Sequence, residues 1–96
     1  MVNIQCTFEE LKDDLKWVAV EFDKNGFRCR AYNKGVQFNV PDRSGVIHEF
    51  YPTTGTVIFH FSNLKEDRGK IKTFRNKDIH WFMEFLNAPE KIKGMF

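Results

Sequence analysis

The sequence predicts a small α+β domain in which an antiparallel four-stranded meander is flanked by an N-terminal and a C-terminal helix, both packed on one face. Three observations predict this class. Apolar and polar residues alternate in four successive runs, turn sequences rich in Gly, Pro and Asn separate the runs, and segments of helical periodicity stand on either side. At 96 residues the chain is long enough for one core, and we expect a single domain, 1–96.

The first helix is predicted over about 7–24. The segment from Thr7 to Glu10 has the form of a capping box, and Gly26 suits the end of a helix. A competing interpretation makes Trp17 to Phe22 a strand that turns at Asp23. The helix is favoured because one apolar stripe runs along it, formed by Phe8, Leu11, Leu15, Val18, Ala19 and Phe22.

Four strands are predicted over about 27–32, 36–41, 46–51 and 56–61. Since successive side chains of a strand point to opposite faces, alternation predicts which residues face the core. The inward set is Phe27, Cys29, Val36, Phe38, Val40, Phe50, Val57, Phe59 and Phe61. The open face is expected to carry Arg28, Arg30, Tyr32, Gln37, Asn39, Glu49, Tyr51, Ile58 and His60.

The C-terminal third begins with a basic connecting segment, 62–76, in which 70–74 has the pattern of a short strand. A helix over about 77–87 follows, with Asn76 as its expected cap and a buried stripe of Ile79, Phe82, Met83 and Leu86. The last residues, 89–96, read as a tail whose apolar end could cover Trp17 or Trp81. A further short strand is suggested by Val2, Ile4 and Cys6 near the N-terminus.

The net charge of +2 hides a strong segregation along the chain. Cys6 to Asp23 carries two lysines against six acids. Lys24 to Arg43 carries five basic residues against one acid, and Lys65 to Lys77 carries six against two. Such segregation is typical either of ordinary solvated faces or of a basic surface that binds nucleic acid.

No residue pattern indicates a metal site, a cofactor or an active site. The three histidines and two cysteines lack ligand spacing, and Cys29 is expected on the core face. The turn from Pro52 to Thr56 is followed by a strand rather than a helix, which excludes a phosphate loop. His60 is the one candidate for a small RNA-cleaving toxin, a less favoured interpretation because nothing beside it matches such a signature.

Part of the meander resembles a known family. Tyr51, the turn at Thr54 and Gly55, and the apolar strand with Val57 and Phe59 are similar to the TATA-box-binding-protein-like N-terminal domain of type-three bacterial ribonuclease H, over residues 35–61. The resemblance implies a curved sheet that grips a nucleic acid or a protein without catalysis of its own. The helix–strands–helix order also suggests a double-stranded-RNA-binding domain, ranked lower because only Lys77 remains of the lysine-rich start of its last helix.

The sequence contains no predicted membrane segment, and a cytoplasmic location is expected. Two functions are consistent with these observations. The first is a non-enzymatic domain that binds RNA or DNA. Its expected contacts are Arg28, Arg30, Tyr32, Tyr51, His60, Lys70, Lys72, Arg75 and Lys77. The second is a protein-binding module, inhibitor or homodimer that uses Trp17, Trp81 and Phe85, and that resembles small accessory proteins of phages and mobile elements.

Overall fold

The fold is an antiparallel sheet with helices against one face, which confirms the α+β class. A computed structural model describes residues 5–61 and 70–96. Across these residues six strands follow one another in chain order, each antiparallel to the next. They are β1 (Gln5–Cys6), β2 (Arg30–Tyr32), β3 (Gln37–Pro41), β4 (Ile47–Tyr51), β5 (Thr56–His60) and β6 (Ile71–Phe74).

The predicted meander corresponds to β2 through β5, and the described sheet extends it by one strand at each edge. The first predicted strand is too long, because Phe27 to Cys29 form no ladder pairing. The strand expected within 70–74 is present as β6, and it pairs with β5. Only the end of the strand suggested near the N-terminus, β1, is described; Val2 and Ile4 lie outside the described residues, as does 62–69 of the basic segment.

The long first helix was predicted wrongly in its first half. The α-helix α1 covers Lys16–Lys24, and two 3-10 turns precede it, Phe8–Glu10 and Asp13–Leu15. The chain leaves the helical conformation at Leu11 because the N–H of Lys12 donates to the carbonyl of Lys34, 2.9 Å away, instead of to a helical neighbour. Trp17 to Phe22 is helical, so the strand alternative is wrong.

The start of the second helix also differs from the prediction. Helix α2 covers Ile79–Asn87, and its N-cap is Asp78, whose Oδ1 accepts the N–H of Trp81 at 2.8 Å. Asn76 does not cap it, since it lies in a left-handed turn with φ of 60°. The tail contains a further short helix, α3 (Pro89–Lys93). After this helix, Phe96 packs on the ring of Phe61, with 5.4 Å between the ring centroids. The tail therefore does not cover Trp17, which is 52% exposed.

The core lies between the helices and one face of the sheet, as predicted. Phe22 of α1 is completely buried, and its ring centroid lies 6.0 Å from those of Phe38, Phe50 and Phe82. The stripe of α2 is buried in full: Ile79, Phe82, Met83 and Leu86. Phe8 was expected in the first stripe but is 46% exposed, because the 3-10 turn directs it away from the core. With both helices on this side, the other face of the sheet remains uncovered by them.

Candidate nucleic-acid interface

The uncovered face consists of rows of side chains that cross the strands. Strand register fixes these rows, since residues directly opposite each other in a ladder share a face. One row crosses the described sheet from β2 to β6 and contains Arg30, Asn39, Glu49, Ile58 and Thr73. Beside it, Tyr32 lies opposite Gln37 and Tyr51 opposite Thr56, while His60 lies opposite Ile71 on the other flank.

A cleft opens at the β2 side of this face, where the sheet is incomplete. The β2–β3 ladder stops at the pair Arg30–Asn39, although β3 continues to Pro41. The missing pairing leaves a cavity of about 300 Å³. It is lined by Arg28, Cys29, Arg30, Tyr32, Asn39, Pro41 and Ile47. The cleft therefore combines cations, an aromatic ring, an amide and apolar contacts.

The two arginines of this cleft are exposed and have no side-chain partner among the residues that the structure describes. Neither the Arg28 nor the Arg30 side chain forms an ion pair or hydrogen bond with residues 5–61 or 70–96. Arg43 behaves differently: its Nε donates to Oδ1 of Asn87 at 2.9 Å, and its guanidinium lies 4.2 Å from the ring centre of Phe27. Arg43 is thus occupied in holding the fold, whereas the donors of the two cleft arginines have no partner among the described residues.

The centre of the face is organised by one carboxylate. Glu49 accepts from the hydroxyl of Tyr51 at 2.6 Å, and its other oxygen lies 2.6 Å from Nε2 of His60. Gln37, which is buried, donates to the same carboxylate at 3.4 Å. The hydrogen bond from His60 keeps the pKa of Glu49 below its ordinary value, with a smaller contribution from Tyr51, against the effect of burial. The carboxylate is therefore ionised at neutral pH.

This network uses the polar atoms of Tyr51 and His60, two of the predicted contact residues. Their polar atoms are directed at Glu49 and are therefore already hydrogen-bonded within the protein. Burial, followed by the bond to Glu49, raises the pKa of the Tyr51 hydroxyl well above its usual range. Sequence alternation places Glu49 on this face, but no sequence signal indicates that it joins the two predicted contact residues.

The predicted basic contacts after β5 lie apart from the cleft. Lys72 is opposite Phe59 and so belongs to the helix-bearing side of β6. Lys70 lies over the ring of Phe61 at 5.2 Å and Lys77 over Trp81 at 4.8 Å. Arg75 is exposed just after β6. Three strands separate β6 from β2, which carries the cleft arginine Arg30, so the predicted cations form two margins of the sheet rather than one cluster.

The aromatic residues expected at a protein interface also separate into two places. Trp81 and Phe85 are half-buried and pack on each other at 4.7 Å and on Phe59 at 5.9 and 5.3 Å. Trp17 instead projects from α1, with Val20 one turn further on and 46% exposed. The exposed Ile47 and Ile71 were not among the predicted contacts, because the ends of strands are difficult to place from periodicity.

No protein family, curated protein or solved structure matches the chain. Within residues 5–61 and 70–96, no three His, Cys, Asp or Glu side chains cluster as a metal site would require. The described helices are all too short or too polar to cross a bilayer. The side-chain arrangement of the open face is therefore the basis for any functional assignment.

Proposed function

We propose that the protein is a non-enzymatic nucleic-acid-binding domain whose contact surface is the uncovered sheet face, entered from the β2 cleft. The observation that carries the proposal is the cleft itself, where Arg28 and Arg30, without a side-chain partner in the described part of the chain, adjoin Tyr32. Arginine donates to phosphate oxygens in a fork that matches their geometry. Bases stack on aromatic rings with about 1–3 kcal/mol per base.

The charge distribution of the face favours one particular path for a bound nucleic-acid strand. Ionised Glu49 at the centre repels phosphate, whereas the arginines at the β2 margin attract it. A nucleic-acid strand that follows this margin would place its phosphates on Arg28 and Arg30 and its bases toward Tyr32 and Asn39. Bases reach such platforms only when they are unpaired, so we expect single-stranded RNA or DNA to bind more tightly than duplex.

Titration with short fluorescent oligonucleotides tests the proposal. Single-stranded and duplex RNA and DNA of equal length are compared at two salt concentrations, with the wild type and with Tyr32→Ala. The proposal predicts salt-sensitive binding that prefers single strands and weakens about tenfold in Tyr32→Ala, the equivalent of one stacked base. Absence of binding at low salt, or equal affinity in the variant, would refute it. The RNA is expected to remain intact, since the proposal includes no catalysis by His60.

A second candidate, protein binding, is favoured by one specific observation. Trp17 and Val20 of α1 are 52% and 46% exposed, and tryptophan is enriched among residues that dominate interfaces. If this side of α1 forms a homodimer, light scattering gives a dimer mass for the wild type and a monomer mass for Trp17→Ala. A wild-type monomer at high concentration counts against the homodimer.

A further inference from the structure

A second and larger concavity lies on the other side of the Arg28–Arg30 segment, between that segment and α1. It has a volume of about 610 Å³. Its walls are Phe8 from the first 3-10 turn, Ala19, Val20 and Asp23 from α1, and Phe27, Arg28, Cys29 and Arg30. Phe8 and Val20 are each 46% exposed. The groove thus has α1 along one side and the segment that leads into β2 along the other.

The segment on the other side of this groove continues β2 backwards without a ladder partner in the described residues. Strand β1 pairs with β2 only at Tyr32 and Ala31, and the chain then turns away into the 3-10 turn that begins at Phe8. On the inner side, the β2–β3 ladder ends at Arg30. Within the described chain, Arg28 and Cys29 therefore take part in no ladder. Their N–H and C=O groups form the kind of unpaired edge to which another extended chain can bind.

The side chains of this edge face two different surroundings. Arg30 belongs to the open face by its register with Asn39, and a strand continued backwards from β2 would place Arg28 on that side as well. The same continuation would place Phe27 and Cys29 on the other side; both line the groove, where Phe27 is buried. A strand placed beside this edge would have its side chains sorted in the same way, since residues opposite each other in a ladder share a face.

We propose that this groove binds an extended segment of a partner protein by strand addition, with an acidic–apolar–acidic sequence in the segment. The two acidic side chains pair with Arg28 and Arg30, and the apolar side chain between them enters the groove between Phe8, Val20 and Cys29. Strand addition gives affinity through backbone hydrogen bonds and specificity through alternate side chains. Asp23 lines the helix side, and its charge disfavours a third acidic residue at the central position.

The proposal is independent of nucleic-acid binding, although both use the two arginines. The nucleic acid is assigned to the open face and Tyr32, whereas the peptide is assigned to the strand edge and to Val20. Because both ligands neutralise the same guanidinium groups, a peptide of this pattern is expected to compete with an oligonucleotide.

Fluorescence anisotropy with synthetic capped peptides tests the assignment. The test peptide carries Glu-Leu-Glu at the centre of a threonine-rich extended sequence. One control exchanges the order to Leu-Glu-Leu, and another carries N-methyl groups that remove the backbone donors. The proposal predicts that both controls bind at least about tenfold more weakly, because the first misplaces every side chain and the second removes ladder bonds.

Protein variants separate this site from the open face. Val20→Glu, an exposed change, is expected to weaken the peptide about tenfold and leave oligonucleotide binding unchanged, while Tyr32→Ala does the reverse. The double variant Arg28→Glu, Arg30→Glu should lose the Glu-Leu-Glu peptide and bind its Lys-Leu-Lys counterpart instead. Equal binding of the three peptides by the wild type, no binding of any, or failure of the charge exchange to restore binding would overturn the proposal.

Discussion

The imidazole of His48 lies 2.8 Å from Oδ2 of Asp42, and the His48 side chain is completely buried. Its other ring nitrogen, Nδ1, accepts the backbone N–H of His60 at 2.9 Å. Nδ1 must therefore be unprotonated, so the ring donates through Nε2 to Asp42. Asp42 also holds the following turn, since its Oδ1 accepts the N–H and the hydroxyl of Ser44. This buried pair joins β4, β5 and the turn between β3 and β4.

Replacing His48 should therefore destabilise the fold strongly. His48→Leu removes both ring hydrogen bonds and leaves the Asp42 carboxylate buried with one partner fewer. The expected loss is about 3 kcal/mol of unfolding free energy, measured by urea denaturation at pH 7.5. The matched control is His80→Leu, because His80 is exposed on α2, and there we expect little change. Similar losses at both positions would contradict the role given to the buried pair.

The same pair predicts a pH dependence of stability. Burial lowers the pKa of His48 below its ordinary value of 6.5, despite the hydrogen bond and charge of Asp42. Below pH 6.5 the unfolded chain binds a proton that the folded ring does not, so the unfolding free energy falls as the pH decreases through this range. The contribution is complete above pH 6.5. Urea titrations at pH 7.5 and 5.5 should show a steeper decrease for the wild type than for His48→Leu; parallel decreases would contradict this.

The turn between β4 and β5 depends on a glycine at Gly55. Its φ is +69°, and a Cβ there would lie 2.8 Å from the carbonyl oxygen of Lys77 and 3.0 Å from its nitrogen. The N–H of Lys77 also donates to the Gly55 carbonyl at 2.9 Å. Gly55→Ala would force apart two backbone segments and is expected to cost roughly 2–4 kcal/mol of unfolding free energy.

Gly45 provides the matched control, since its φ is +96° and an added Cβ would meet no described residue within 4 Å apart from its own chain neighbours. Gly45→Ala should lower the unfolding free energy only by the cost of holding an alanine at a positive φ, about 1 kcal/mol. Thermal denaturation of both variants measures the difference. If Gly45→Ala were as damaging as Gly55→Ala, contact with Lys77 would not be the reason for glycine at the hairpin turn.

Cys29 should react slowly although it is only half-buried. Burial, and then the nearby charge of Asp23, raise the pKa of its thiol to about 11. Since the thiolate is the reactive species, alkylation by iodoacetamide at pH 8 should be on the order of a hundredfold slower than for an unstructured cysteine. Peptide mapping by mass spectrometry follows the rate at Cys29, and urea should restore normal reactivity. Rapid modification of the folded protein would contradict the raised pKa.

Local patterns predicted most of the architecture. The stripe of α2 and the order of β2 to β5 follow from periodicity and turn residues, which act within a few positions of the chain. The break before α1 could not be predicted in this way. It depends on a hydrogen bond from Lys12 to Lys34, and the residues around Lys12 continue a helical stripe without interruption. A long-range backbone contact overrides local propensity there.

The open face shows the same division between local and long-range information. Alternation placed Arg30, Tyr51 and His60 on one face, as the ladders do. It could not predict that Glu49 would bind Tyr51 and His60, because that contact requires the register of β4 against β5. The cleft beside Arg28 arises where a ladder stops, and the lengths of β2 and β3 are set by pairing rather than by the residues of either strand alone.

The claim that Arg28 and Arg30 contact phosphates is tested most directly by removing both arginines and measuring how oligonucleotide binding depends on salt. The variant Arg28→Ala, Arg30→Ala removes two exposed charges, and Lys93→Ala, exposed on α3, is the control for charge loss. Each phosphate contact with a single strand contributes about 0.7 to the slope of log affinity against log salt. We predict a slope smaller by roughly 1 to 1.5 in the double variant and unchanged in Lys93→Ala. Identical slopes in the wild type and the double variant would contradict the assignment of the cleft as the phosphate contact.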